Sequence, residues 1–502
     1  MQETKREKKT EYRLSKSRYC AGVQCPKMLW MQKNMPEEFD ESVMNEAVLE
    51  TGSKVGDLAM GLFGDYTEVP YGDLKEMLKI TDELMKKKEK IICEASFSYD
   101  GLFCSVDILV NKGRKKVELY EVKSSTHERD IYADDISFQY YVMKNLGYTV
   151  TKTCLVHLNS SYVRHGDLEL DKLFTILDYT TVAKAMYAKV EANIDYFREF
   201  LRSQRVPIVP IGEQCFAPYK CGYFNYCAGK LSYPNVFDLK NAMPATKLKY
   251  YKNGYITFED LYEAGVLRDK AKMQVEHELY DLEDYTEKDN IKDFLKDLSY
   301  PLYFLDFEAF APVVPLYDNS SPYEQIPFQY SLHYMKRKNG KLYHKEFLAY
   351  PYEDPRRAVA EDLCRDIPED VCVLAYNMSY EKGRIKRMAE LFPDLSDHLM
   401  SIYDNIRDLM IPFQKRWYYN RGMQGSYSIK YVLPALFPDD PELDYQRLEG
   451  VHNGQEASDT FMKMISMDKE ELEEYRQYLL KYCQLDTYAM VKILQKLQET
   501  GK

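Results

Sequence analysis

Apolar and polar positions alternate in blocks along this chain, and the period of the alternation changes from block to block. In "EKIICEASFSYDGLFCSVDILVNKGRKKVELYEVKSST" (89–126), β-branched and aromatic runs are broken by "YDG" and "NKGRKK", which are turn-forming. That pattern predicts a three-stranded meander. A helix is predicted before it, after "LSKSRYC" (14–20), and two follow it, over 131–146 and roughly 180–203. "KTCLVHL" (152–158) between these two reads as a further strand. Residues 236–298 read as a helical connector, in which "KYYKNGYITFEDLYEAG" (249–265) forms two short helices joined at Gly254. From 299 onward, strands such as "PLYFLDFEAF", "FQYSLHYM" and "VCVLAYN" mix with long helices. The last helix is "KEELEEYRQYLLKYCQLDTYAMVKILQKLQ" (469–498). The expected fold class is α/β, divided as 1–235, 236–298 and 299–502.

Composition narrows the class. A chain of 502 residues, 45% hydrophobic and 29% charged, carries enough apolar surface for two or three cores. The opening "MQETKREKKTEYRLSK" has no apolar core of the signal-peptide kind, and an uncharged run of about 18 apolar residues is absent, so a cytoplasmic location and no membrane partner are expected. Without a secretory signal, the eleven cysteines do not suggest a disulfide framework, and their clustering points to metal or cluster ligation. A net charge of −12 excludes a wholly basic nucleic-acid coat but not a local positive groove.

Two acidic constellations stand out. In "VELYEVKSS", side chains alternate between faces, so Glu121 and Lys123 point together. A hairpin centred near Arg114 sets Asp107 opposite Glu121, with Cβ atoms roughly 4.5–5.5 Å apart. Two carboxylates that close repel unless a cation lies between them, and a hard ion such as Mg²⁺ or Mn²⁺ answers that need. Lys123 adds a positive charge that would orient a nucleophilic water. The competing reading is a solvent-facing ladder of charges. In the second constellation, "LYFLDFEAF" puts Asp306 and Glu308 on one strand face; "VLAYNMSYEKGRI" offers Asn377, Tyr380 and Glu381; and "KYCQLDTYAM" places Tyr482 and Asp486 at i and i+4 of a helix. The competing reading makes Asp306 a strand cap and Tyr482 part of a core.

The D…ExK arrangement resembles the PD-(D/E)XK nucleases, in the RecB-like branch. Gln139 falls where that branch carries a glutamine followed by a tyrosine, a place open to Tyr140 or Tyr141. Gly56, in "ETGSKVGDLAMGLF", stands where the branch often has histidine. Cys215, Cys221 and Cys227, spaced six apart, together with Cys25 in "VQCPKMLW", resemble the iron–sulfur staple of RecB-like nucleases in the AddB and CRISPR-associated exonuclease groups. That resemblance implies a [4Fe–4S] cluster on four thiolates; structural zinc or free buried thiols are the alternatives, and Cys20 competes with Cys25. DxE, N-x-x-Y-acid and YxxxD in that order resemble the DEDD exonucleases of the ribonuclease H-like fold, tyrosine subclass. The resemblance implies Asp306, Glu308 and Asp486 as ligands of two metal ions, Tyr482 as partner of the attacking water, and Glu381 where the family generally has aspartate, with Asp408 in reserve. The whole chain looks like an uncharacterised bacterial family joining a RecB-like module to a ribonuclease H-like domain. The expected function is a metal-dependent nuclease acting on DNA or RNA, with Asp107, Glu121, Lys123 and Gln139 in one site and the acids from Asp306 onward in another. The stretch around Gly254 faintly resembles a helix-hairpin-helix, against a plain helical spacer, and "QKRWYYNRG" (414–422) and "KGRKK" (112–116) are basic runs of a kind that can contact nucleic acid but more often form solvated faces. A nucleic-acid-binding adaptor without turnover and an iron–sulfur redox or sensing protein are the other two classes of answer.

Overall fold

The computed structural model describes residues 13–43 and 46–501; the charged stretch read over residues 1–12 lies outside them. The chain divides into two compact units, one built from residues up to Leu231 with Val313–Pro322, the other from Ser232–Pro312 and Tyr323 onward. Both are mixed α/β.

In the first unit the strands are β1 (Leu14–Ser15), β2 (Thr67–Glu68), β3 (Ile91–Tyr99), β4 (Leu102–Gly113), β5 (Lys116–Lys123), β6 (Thr149–Leu158) and β7 (Phe174–Asp178). They form one sheet in the order β2-β3-β4-β5-β6-β7, with β1 on β4. The meander is β3-β4-β5, antiparallel throughout. Its turns fall where two consecutive residues accept positive φ, Asp100–Gly101 and Arg114–Lys115, the backbone that a tight hairpin demands. β6 then returns parallel to β5 after the crossover helix Asp130–Asn145. Alternation along the strands feeds two cores: Ile92, Ala95, Val106 and Leu119 pack with Phe138 and Val142 on one face, while Ile91, Cys93, Ile108 and Tyr120 pack with Val156 on the other. The helix expected over 180–203 is instead two, Thr180–Ala185 and Tyr187–Phe200, interrupted at Met186.

The second unit holds β8 (Tyr285–Thr286), β9 (Leu302–Phe310), β10 (Ile326–Met335), β11 (Leu342–Leu348), β12 (Cys372–Ala375), β13 (Ile406–Asp408) and β14 (Tyr418–Tyr419). Its main sheet runs β11-β10-β9-β12-β13; β10 is antiparallel to β9 and β11, and β12 is parallel to β9 and β13. Helices cover both faces of β9, which explains its nearly continuous apolar run. Leu302 and Phe304 pack toward the C-terminal helix Lys469–Thr500 with Leu485, Ala489 and Leu494, while Tyr303, Leu305 and Phe307 pack on the opposite side with Val359, Leu363 and Ile385. The connector expected at 236–298 is built into this unit, because Ile291 and Phe294 share a core with Leu302 and Leu494. Its two short helices, Pro244–Lys252 and Phe258–Glu263, are joined through Gly254 at φ +83°.

A buried polar chain ties the C-terminal helix to the sheet. Thr487 Oγ1 lies 2.7 Å from Ser331 Oγ and 2.8 Å from His333 Nδ1, and Ser331 Oγ lies 2.9 Å from His344 Nε2. Ser331 is also the cross-strand partner of Asp306, so the chain fixes the register of the helix beside the acids. Thr487→Val is isosteric but leaves buried partners unpaired. It should lower unfolding free energy by about 1–3 kcal/mol in a denaturant titration, with Thr487→Ser costing less.

Candidate functional site

The second unit gathers carboxylates at one end of β9. Even-numbered residues of β9 face the C-terminal helix, so Asp306 and Glu308 project toward the helical turn that presents Asp486. One oxygen from each of Asp306, Glu308 and Asp486 lies within 4.8 Å of the others, the only such grouping of three acid, histidine or cysteine ligands among the described residues. Glu308 and Asp486 are buried and Asp306 is half-buried. Burial first, then the charges of Asp486, Glu308 and Glu381, push Asp306 well above the usual carboxylate range. Burial and the Asp486 and Glu381 charges do the same to Glu308. Asp486 is pushed up only to about 6, because hydrogen bonds from Tyr445 and Tyr482 and the nearby Lys430 charge oppose the burial. The Tyr445 hydroxyl donates to Asp486 Oδ1 at 2.6 Å. Gly454, first residue of the helix Gly454–Lys463, lies so close to Glu308 that a Cβ there would meet Oε2 at 3.4 Å.

Glu381 sits in the first turn of the helix Ser379–Leu391 and is only 1% exposed. Among the described residues its Oε2 has no hydrogen-bond partner. Burial pushes its carboxyl up to about 8, with Asp408 adding to the rise. It stands outside the three-acid grouping, although its charge acts on Asp306 and Glu308. Asp408 is engaged elsewhere: its Oδ1 accepts the N–H groups of Asn377 (3.0 Å) and Met410 (2.9 Å) and so fixes two chain reversals. Tyr445 and Lys430 were missed in the sequence because neither belongs to a local motif with the acids.

The first unit brings Glu121, Lys123 and Gln139 together. The register pairs Ile108 with Tyr120, so one further step sets Asp107 level with Glu121. Asp107 Oδ2 accepts the Val122 N–H at 2.6 Å. Lys123 Nζ bonds Glu121 Oε1 at 2.6 Å and Asp135 Oδ2 at 2.5 Å, and Gln139 Nε2 donates to Glu121 Oε2. Two members had no sequence signal: Asp135, and Lys16, whose Nζ lies 2.7 and 2.8 Å from the two oxygens of Glu121. Burial opposes ionisation of Glu121, but Lys123 and Lys16 outweigh it and hold the carboxyl well below its ordinary range. Burial and the charge of Glu121 push Asp107 up to about 8. Glu94, at φ +54° in β3, is a further acid whose charge acts on Asp107. Tyr140 and Tyr141 both pack on Tyr187, so neither is shown on Glu121. At Gly56, in the helix Glu46–Met60, a Cβ would meet nothing within 4 Å.

Cys25, Cys215, Cys221 and Cys227 line one pocket with Met28, Met31, Ile211 and Phe224. All are unpaired thiols. Burial pushes Cys221 up to about 11, with the three other cysteines adding to the rise. Cys20 lines a different pocket, with Lys16 and Lys123. No three of the four sulfurs come within 4.8 Å of one another.

The basic segments are not free patches. Arg416 is buried and donates to the Gly425 and Ser426 carbonyls, Arg421 pairs with Glu278 and Asp281, and Tyr418 and Tyr419 are core residues. "KGRKK" is exposed, but it forms the hairpin turn, and Lys116 lies five strand residues, about 17 Å, from Glu121.

Residues 303–428 match the family described as "Domain of unknown function (DUF2779)", a span containing Asp306, Glu308, Glu381 and Asp408 but not Tyr482 or Asp486. The chain is also similar to an uncharacterized protein of Mycoplasma genitalium, 25% identical over 215 residues, covering 40% of this chain and 32% of that protein. An uncharacterized protein of Ureaplasma parvum is 26% identical over 238 residues, covering 42% and 33%. The matched region thus spans about a third of the length of these relatives. Among the described residues no helix is long and apolar enough to cross a membrane.

Asp486 and Glu381 hold protons more tightly in the folded protein than in the unfolded chain. Their contribution to stability is therefore complete below about pH 4 and is lost as pH rises through about 6 and about 8. Metal-stripped protein should show a Tm that falls across this window by calorimetry. The double variant Asp486→Asn, Glu381→Gln should show a flatter slope.

Proposed function

We propose that the chain is a metal-dependent nuclease, and that its second unit is a ribonuclease H-like exonuclease of the DEDD type. The observation that carries this reading is the convergence of Asp306, Glu308 and Asp486 within 4.8 Å, beside two tyrosines. The donor set fits hard divalent ions: three mutually repelling carboxylates, with the Lys430 charge acting on both Glu308 and Asp486. Mg²⁺ or Mn²⁺, when bound, supplies Lewis acidity and an activated water for phosphodiester hydrolysis. Asp306, Glu308 and Asp486 hold the ions. Tyr445 orients Asp486 through its 2.6 Å hydrogen bond, and Tyr482, whose hydroxyl also bonds Asp486, would serve the attacking water. Glu381, buried with its Oε2 unpaired among the described residues, is the fourth acid and acts from a longer reach.

In the same reading the first unit is a PD-(D/E)XK module of the RecB-like kind, with Asp107 and Glu121 as metal ligands and Lys123 and Gln139 as their partners. The four cysteines that line one mainly apolar pocket would be the thiolate ligands of a [4Fe–4S] cluster. Its thiolates would join Cys25, near the start of the unit, to the 215–227 segment at its end. Nucleic acid, DNA or RNA, is the partner.

End-labelled single- and double-stranded DNA and RNA, incubated with Mg²⁺ or Mn²⁺, test the reading. Mononucleotides should leave the 3′ end. Asp306→Ala and Asp486→Ala should each stop release, and Tyr482→Phe should slow it roughly 10²-fold. No 3′ trimming of any substrate in either metal would sink the assignment of the second unit. Protein purified anaerobically should carry about four irons by elemental assay, lost on Cys221→Ala.

A further inference from the structure

Glu121 has no oxygen to spare. Oε1 accepts from Lys16 (2.7 Å) and Lys123 (2.6 Å), and Oε2 accepts from Lys16 (2.8 Å) and Gln139. Two donors on each oxygen fill the lone-pair positions that a metal ion would need. Lys16 Nζ also lies 3.4 Å from Asp135 Oδ1, and Lys123 bonds the other Asp135 oxygen, so the two ammonium groups bridge two acids.

The three donor groups differ in how easily they leave. Lys123 lies two residues from Glu121 on the same strand, and Gln139 is held on the buried helix Asp130–Asn145. Lys16 comes from a separate element, as the first residue of the helix Lys16–Gln24, so it can swing away without disturbing the strand that carries Glu121; in exposure the two lysines are alike, 21% and 22%. Beside it opens a cavity of roughly 390 Å³, walled by Lys16, Gln24, Lys123, Tyr132 and Tyr219. The Lys16 ammonium therefore has somewhere to go. Charge balance favours the exchange: Asp107, Glu121 and Asp135 carry three negative charges when ionised against two lysines, so a divalent ion adds an excess unless one ammonium withdraws.

We propose that Lys16 is the resident counter-cation of the first acidic site, and that a divalent ion binds at Asp107 and Glu121 only by displacing it into the adjoining cavity. This rests on reading the site as metal-dependent. A phosphate entering the cavity would give the displaced ammonium a new partner, so phosphate-bearing ligand and metal bind cooperatively. Lys16 is in this sense a positioning residue that sets the metal affinity of the site.

The test is Mn²⁺ binding by full-length protein, read by electron paramagnetic resonance, in an Asp306→Ala, Asp486→Ala background that removes the second site. Lys16→Met should tighten Mn²⁺ binding at least about tenfold, Lys16→Arg should leave it weak, and Glu121→Gln should abolish it. Inorganic phosphate should tighten Mn²⁺ binding in the Lys16-containing protein and not in Lys16→Met. Lys16→Gln serves if Lys16→Met does not give a cooperative melt. Equal or weaker Mn²⁺ binding in the neutral variants, with Glu121→Gln still negative, overturns the role of Lys16 alone. Absence of Glu121-dependent Mn²⁺ binding in every variant overturns both that role and the metal reading of the first site.

Discussion

Repulsion between buried carboxylates is the constraint on which both units depend. Oxygens of three acids within 4.8 Å cannot all be charged in a low-dielectric setting without compensation. The second unit leaves the repulsion largely in place: its nearest polar neighbours are neutral, the hydroxyls of Tyr445 and Tyr482 and the Cys483 thiol, whose Sγ lies 3.8 Å from Asp306 Oδ2. The first unit cancels it internally with two lysines and a glutamine. The same electrostatic problem thus has an open and a closed solution in one chain.

The scaffold tolerates the open solution because the acids ride on an over-determined strand. Nearly every other side chain of β9 is buried in one of two apolar clusters on opposite sheet faces, so a one-residue slip would exchange both cores at once. The Thr487–Ser331–His333 chain adds a polar lock between β10 and the helix that bears Asp486. Burial pushes His333 down to about 3, so the ring stays neutral and adds no competing charge beside the acids.

Local pattern revealed a good deal of this. The hairpin that sets Asp107 level with Glu121 was legible from turn residues and strand period, and the DxE pair from alternation within an apolar run. Lys16 was not legible, because it lies 105 residues from Glu121 with no motif linking them. Tyr445 likewise meets Asp486 across 41 residues, with the helix Gly454–Lys463 and the first half of the C-terminal helix between them. The segment 414–422 misled for a different reason: its basic and aromatic residues suit a nucleic-acid surface equally well, and only the packing shows Arg416 capping carbonyls inside the unit. Periodicity also ran through Met186 without marking the break between two helices.

The nine-residue helix Lys16–Gln24 begins with the lysine on Glu121 and ends against Cys25, which caps it and opens the next helix. One short rod therefore contributes to both the acid cluster and the thiol pocket, yet their remaining members come from far downstream. During synthesis at about 5–20 residues per second, the ribosome adds the roughly 200 residues between Cys25 and Cys227 over tens of seconds. The acid cluster is complete in sequence once Gln139 has been made, whereas the thiol set waits for Cys227. The two sites therefore mature in order along the chain, the acids first, and a fragment that ends before Cys215 carries every member of the first and only Cys25 of the second.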